Sequence, residues 1–142
     1  MTERRASFRR FAIATIAAVY FLIFIGGLVR ASGSGMGCPD WPKCFGRWIP
    51  PTSESQLPAD YQERWAEHGY GEARFNVWRT WTEYGNRMIG VVIGFLILAT
   101  LLLSLRFRRE DPALVWWCAA ALVLVGFNGW LGSVVVSTNL EP

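Results

Sequence analysis

Three stretches of the chain carry no charge, and each is long. Phe11–Val29 lies between Arg10 and Arg30, and Met88–Leu105 between Arg87 and Arg106. The third, Pro112–Leu140, lies between Asp111 and Glu141 and is most apolar at Ala113–Val136. About 20 residues at roughly 1.5 Å each cross a hydrocarbon core of about 30 Å. A core helix of that length in a soluble protein would carry a polar stripe, and none of the three does. The pattern predicts an all-α membrane protein with transmembrane helices at residues 11–29, 88–105 and 113–138. A large loop, residues 30–87, separates the first two. The first stretch exceeds the roughly 7–15 apolar residues of a signal peptide, and Arg30 follows it directly, so it reads as a retained anchor.

Charge orients these spans. Arg4, Arg5, Arg9 and Arg10 precede the first, and Arg106, Arg108 and Arg109 crowd the connector at residues 106–112. The segment Ala31–Asn86 holds five basic residues (Lys43, Arg47, Arg64, Arg74, Arg79) against seven acids (Asp40, Glu54, Asp60, Glu63, Glu67, Glu72, Glu83), a net of −2. The chain is expected to be a multi-pass protein of the cell (plasma) membrane, and the positive-inside bias orients it. Residues 1–10 and the connector are then cytoplasmic, with the loop and residues 139–142 outside. The formal charge of +3 mostly records the cytoplasmic arginines, so it is no argument for nucleic acid as a partner; membrane lipids are the expected surroundings.

Within the loop, Ala31–Thr52 is rich in Gly, Pro and Ser and predicts irregular structure. Pro58–His68 predicts an interfacial helix stopped by Gly69. It would place Tyr61, Trp65 and His68 on one face and let Asp60 pair with Arg64. Five of the eight tryptophans (Trp41, Trp48, Trp65, Trp78, Trp81) lie in this segment, which suits an aromatic belt at headgroup level better than ligand stacking.

Cys38 and Cys44 fall in the same loop, in a compartment where a disulfide persists. Closing that seven-residue ring stabilises the loop by about 2.4 kcal/mol on the chain-entropy estimate. Two thiols without neighbouring histidines fall short of a tetrahedral metal site, while redox exchange stays open. Cys118, inside the third span, reads as a packing residue.

The junction Trp81-Thr82-Glu83-Tyr84-Gly85-Asn86-Arg87-Met88-Ile89-Gly90 carries the densest polar pattern. As a helix it gathers Glu83, Asn86, Arg87, Gly90 and Gly94 into a sector about 100° wide. Glu83 and Arg87 fit a surface ion pair, and the glycines fit close helix packing or room for a flat ligand. Asn86 on the same face keeps a functional reading level with the packing one. Near its outer end the third span repeats the theme, with Asn128, Gly132 and Asn139 on one face. A site there would open toward the loop, where Arg30 offers a positive charge.

These residues resemble the heme A synthase family, which acts in cytochrome oxidase assembly. Gly26-Gly27-Leu28-Val29-Arg30 and Gly33-Ser34-Gly35-Met36-Gly37-Cys38-Pro39-Asp40-Trp41-Pro42 look like its first outer loop. Glu83-Tyr84-Gly85-Asn86-Arg87 resembles its Glu-x-x-His-Arg motif, and Asn128-Gly129-Trp130-Leu131-Gly132 with Asn139-Leu140-Glu141-Pro142 is similar to the end of its third helix. The resemblance implies eight helices in two four-helix halves, of which this chain corresponds to three helices of the first half-bundle and stops where the fourth should begin. It implies heme O as substrate, a ring methyl oxidised to formyl with oxygen from water, and a heme b cofactor in the other half. Heme O synthase and an electron acceptor are the implied protein partners. By resemblance, Glu83 is the catalytic carboxylate, and Asn86, Arg87, Arg30, Gly90 and Asn128 are the candidate heme- or substrate-binding residues. Cys38 and Cys44 match the family's loop pair. Asn86 stands where the family has an axial histidine, and an amide oxygen is a poor iron ligand. No metal ligand is therefore assigned, His68 reads as a loop surface residue, and the chain alone is expected to be inactive. Two other classes compete: a non-catalytic assembly or scaffold protein, and a b-type cytochrome subunit, which would need the paired histidines that the spans lack.

Overall fold

The computed structural model describes residues 3–71 and 74–138. Regular structure among them is helical: α1 at Glu3–Ala31, α2 at Tyr61–Arg64, α3 at Val77–Ser104 and α4 at Pro112–Thr138. Short 3-10 turns occupy Glu54–Gln56, Ala66–His68 and Leu105–Phe107. Three helices are long and apolar enough to cross a membrane, at Glu3–Ala31, Val77–Phe107 and Pro112–Thr138. Asn139, placed on a polar face from its spacing, lies outside the described residues.

The helix starts follow from local chemistry. Asn76 caps α3, its Oδ1 accepting the Arg79 N–H at 3.2 Å. Asp111 does the same for α4, accepting from Leu114 at 3.2 Å, and Pro112 in the first helical position has no N–H to leave unpaired. Glu3 in the first turn of α1 and Arg30 in its last both complement the helix dipole.

The chain forms two compact units. One comprises Met1–Gly26 and Met88–Gly129. Within it α3 buries Ile93, Ile97 and Ser104, spaced at helical repeats along one stripe. Thr15 of α1 and Thr100 of α3 face each other with Oγ1 atoms 3.2 Å apart. Each hydroxyl also contacts the carbonyl one turn back on its own helix, so neither is stranded in an apolar setting. An interhelical bond of this kind contributes about 0.6 kcal/mol in a bilayer. At the connector, Phe8 meets Phe107 edge-on at 5.5 Å, and Arg5 pairs with Glu110 at 3.0 Å in an exposed position. Phe21, Ile23 and Phe24 of α1 and Trp116 and Trp117 of α4 stay largely exposed, as expected of side chains that meet lipid.

The other unit comprises Gly27–Arg87 and Trp130–Pro142. Its core is aromatic and built around Phe45, which Trp65, Tyr70 and Phe75 approach edge-on at 5.1, 5.1 and 5.5 Å. Edge-to-face pairs each contribute about 0.5–1.5 kcal/mol beyond area burial. Phe45 reaches the centre from a tight turn: the Cys44 and Arg47 backbones bond to each other at 2.9 and 3.2 Å, with Phe45 at φ +54° and Gly46 at φ +72°. Both central residues have the positive φ of a primed hairpin turn, which glycine tolerates and phenylalanine ordinarily avoids. Burying the Phe45 ring offsets that strain.

The helix expected over Pro58–His68 is shorter. A single α-turn, Tyr61–Arg64, is followed by the 3-10 turn Ala66–His68, and the break comes at Trp65 with φ −118°. Trp65 turns onto Phe45, and Gly69 at φ +79° ends the segment. Packing on a core a few residues away outweighs continuation of a helix too short to be stable alone. Asp60 and Arg64 do pair, at 3.1 Å and exposed.

Candidate functional site

One face of α3 grips the backbone of the preceding loop. Thr80, Glu83 and Arg87 fall at helical repeats, and each binds main-chain atoms of residues 37–43. Thr80 is fully buried, and its Oγ1 donates to the Gly37 carbonyl at 2.9 Å. The Glu83 carboxylate accepts the Gly37 and Cys38 N–H groups on Oε2, the latter at 3.0 Å, and pairs through Oε1 with the Arg87 guanidinium. Arg87 then donates to the carbonyls of Asp40 at 2.7 Å, Lys43 at 3.3 Å and Cys38 at 3.4 Å. Glu83 and Arg87 side chains are only 7% and 12% exposed, so this is a buried, hydrogen-bonded ion pair and not the surface pair that i, i+4 spacing alone suggests.

Gly37 makes the approach possible. A Cβ there would lie 2.4 Å from the Arg79 carbonyl oxygen and 2.8 Å from the Thr80 nitrogen, both helix backbone. Only a residue without a side chain brings its N–H and C=O this close to α3. The loop is closed by the Cys38–Cys44 disulfide, with Cα atoms 4.9 Å apart. Asp40 Oδ2 accepts the Gly46 N–H at 2.8 Å and steadies the turn that carries Phe45. Tyr70 closes the other side, its hydroxyl donating to the Met36 carbonyl at 3.3 Å. Burial, and secondarily the negative Glu83, push its phenol well above the usual range, so Tyr70 stays a neutral donor.

The structure therefore brings Glu83, Arg87, Cys38 and Cys44 into one assembly. Sequence reasoning passed over Thr80, Gly37 and Tyr70, which complete it. Asn86, one step round α3, is partly buried and outside this network; its Oδ1 is buried without a hydrogen-bond partner. Gly90 faces Leu22, whose Cδ2 lies 4.0 Å from where a Cβ would stand, so it serves close packing of α1 and α3. Arg30 is exposed at the end of α1. Asn128 is exposed and turns its amide to the Leu124 carbonyl of its own helix at 2.9 Å. Cys118 is a free, partly buried thiol.

Among the described residues no group of three or more His, Cys, Asp or Glu side chains could hold a metal ion. His68, the only histidine of the chain, ends the 3-10 turn of the loop, and no helix long enough to span a membrane contains one. The residues present do not fit a heme clamped between two protein nitrogens.

Residues 9–142 match the family model described as cytochrome oxidase assembly protein. Among curated relatives, the heme A synthase of Methylobacterium radiotolerans is 28% identical, the alignment covering 99% of this chain and 40% of that protein. The heme A synthase of Cereibacter sphaeroides is 31% identical over 96% of this chain and 36% of its own length. That of Shewanella oneidensis is 29% identical over 90% and 36%. The chain thus spans 36–40% of the length of these relatives. No solved structure matches.

Proposed function

The chain belongs to the family of cytochrome oxidase assembly proteins, and on that premise we propose that it is the N-terminal part of a heme A synthase. The observation that carries this reading is the Glu83–Arg87 pair, which stands where the family motif has its functional carboxylate and arginine and which is held by the disulfide-closed loop. The reaction converts a ring methyl of heme O to a formyl group. Methyl and water give formyl, four electrons and four protons, so an electron acceptor has to take part, and a heme O synthase supplies the substrate. The heme b of the family belongs to residues beyond those of this chain. The loop faces out of the plasma membrane, and the N-terminus is cytoplasmic, following the arginine distribution.

Glu83 is the carboxylate proposed to serve the reaction. Its oxygens are fixed by two backbone amides and one guanidinium, so the charge is aligned before substrate arrives, as electrostatic stabilisation requires. Oε1 accepts only the Arg87 bond, so its second lone pair is open to a proton, and protonation there would weaken the ion pair with that guanidinium. Arg30 and Asn128, both exposed, are each proposed to bind polar groups of the substrate. Arg87, whose Nη groups already hold Glu83 and the loop carbonyls, would meet a propionate through its remaining Nε–H or by giving up one of those bonds. Asn86 lies beside the substrate face and does not ligate iron; Gly90 keeps α1 and α3 close.

Two substitutions in the complete coding sequence separate chemistry from loop support. Glu83→Gln keeps the shape and loses the charge; it is expected to abolish heme A formation while the protein still accumulates. Thr80→Val removes one loop hydrogen bond and leaves the carboxylate, and is expected to retain most turnover. Equal loss in both would make Glu83 a loop anchor only.

One observation favours a second reading. With Asn86 in the motif and no histidine in any spanning helix, a non-catalytic assembly protein of the same fold would look the same in these residues. Heme content separates the two: heme O turnover supports the enzyme, and absence of heme from the purified protein supports the assembly role.

A further inference from the structure

We propose that Trp41, Lys43, Arg47, Trp48 and Ile49 form a lipid-docking surface that takes anionic phospholipid headgroups of the leaflet on the loop's side. Depth is the first argument. Arg87 binds the carbonyls of Asp40 and Lys43, and the Tyr84 hydroxyl binds the carbonyl of Trp48. Tyr84 and Arg87 belong to the last helical turn before Met88, where the charge-free run of α3 begins. Residues 40–48 are thus tied to the level at which the helix passes from polar surroundings to hydrocarbon, the level that tryptophan prefers.

Exposure is the second. Phe45, Trp65, Tyr70 and Phe75 turn into the loop's own core, yet Trp41 is 52% exposed, Trp48 65% and Ile49 72%. Such large apolar groups, left outside a well-formed core at interfacial depth, are expected to have a covering medium.

Charge decides which medium. Lys43 Nζ lies 5.7 Å from the centre of the Trp48 ring, and Arg47 lines an open groove of about 470 Å³ with Trp48, Ile49, Pro50, Thr52 and Gln56. Among the described residues no carboxylate pairs with Lys43 or Arg47, and the Arg47 guanidinium donates to the Gln56 carbonyl at 3.4 Å. Two cations with no carboxylate partner among the described residues, set beside two indoles and an isoleucine, match a phosphate headgroup above an acyl chain. An apolar protein partner would not need the cations.

The test uses the full chain reconstituted in phosphatidylcholine vesicles that contain either brominated phosphatidylcholine or brominated phosphatidylglycerol as quencher. Tryptophans in the spans meet both quenchers, so the informative quantity is the excess quenching by the anionic lipid. That excess is expected in the native chain, to shrink as salt is raised, and to vanish in Trp41→Phe/Trp48→Phe. Lys43→Ser and Arg47→Ser should each lower the preference for the anionic lipid by a factor of about five. All four side chains are at the surface, and closure of Cys38–Cys44 in each variant checks that the loop has formed. Equal quenching by the two lipids in the native chain, or an excess that survives loss of both tryptophans, would overturn the proposal.

Discussion

Gly37→Ala should release the loop from α3 with little change elsewhere. The added Cβ would stand 2.4 Å from the Arg79 carbonyl oxygen, and helix backbone cannot give way as a flexible side chain would. The segment must move outward, which breaks the Gly37 and Cys38 amide bonds to Glu83 and the Thr80 bond to the Gly37 carbonyl. Bonds to a charged acceptor contribute about 1.5–3 kcal/mol each and a neutral one about 1 kcal/mol. The disulfide and the Arg87 contacts to residues 40 and 43 still tether the loop, so part of this survives. A net loss of about 3 kcal/mol is expected, which is roughly a 100-fold rise in the local opening equilibrium. Amide hydrogen exchange of the peptide containing residues 36–47, followed by mass spectrometry in detergent, reads that opening directly. Gly35→Ala is the control, because a Cβ at Gly35 meets nothing within 4 Å and its backbone is not in the positive-φ region. Exchange in Gly37→Ala that matches Gly35→Ala and the native chain would refute the account of how the loop is held.

Topology is checked by reporter fusions: one placed after Arg109 should be active only in the cytoplasm, and one inserted near Ser55 only outside, with opposite labelling overturning the assigned compartments. Alkylation without prior reduction should modify Cys118 alone, and labelling of Cys38 or Cys44 would contradict the closed ring. Tyr70 has a folded-state pKa raised above its ordinary value of 10.0, chiefly by burial. Its contribution to the loop unit is therefore complete below about pH 10 and is lost as pH rises further. Tyr70→Phe should shift the alkaline loss of loop structure, followed by tryptophan fluorescence, to higher pH; an unchanged alkaline transition would place its cause in another group.

The spans were legible because a bilayer imposes one requirement on every residue that crosses it. Freedom from charge over 18 or more positions is a property of sequence alone, and α1, α4 and α3 together with the 3-10 turn that continues it each contain such a run. Cys38 and Cys44 were legible for a similar reason, since two thiols six apart in an oxidising loop have few alternatives. The Glu83–Arg87 pair could be read from its spacing, but its setting could not. Its partners are backbone groups of Gly37, Cys38, Asp40 and Lys43, and a main-chain amide leaves no side-chain signature. Gly37 stood among several glycines of a turn-rich stretch, with nothing to mark it as the one pressed against a helix. The break in the Tyr61–His68 segment has the same origin: the pull of Phe45 on Trp65 is a tertiary contact across 20 residues of sequence. Tryptophan positions were read as a uniform belt, and the structure divides them. Trp65 packs inward and Trp81 donates to the Pro51 carbonyl at 3.1 Å, while Trp41, Trp48 and Trp78 remain mostly exposed.

Heme extraction from cells decides whether these residues belong, as proposed above, to a protein that converts heme O to heme A. The complete coding sequence is expressed in a host that makes heme O but has lost its own heme A synthase, and the membrane hemes are separated by chromatography. Heme A is expected to appear with the native sequence, while the Glu83→Gln protein reaches the membrane in equal amount and leaves heme O unconverted. Heme O left unconverted by the native protein, present and with its loop disulfide closed, would contradict that proposal.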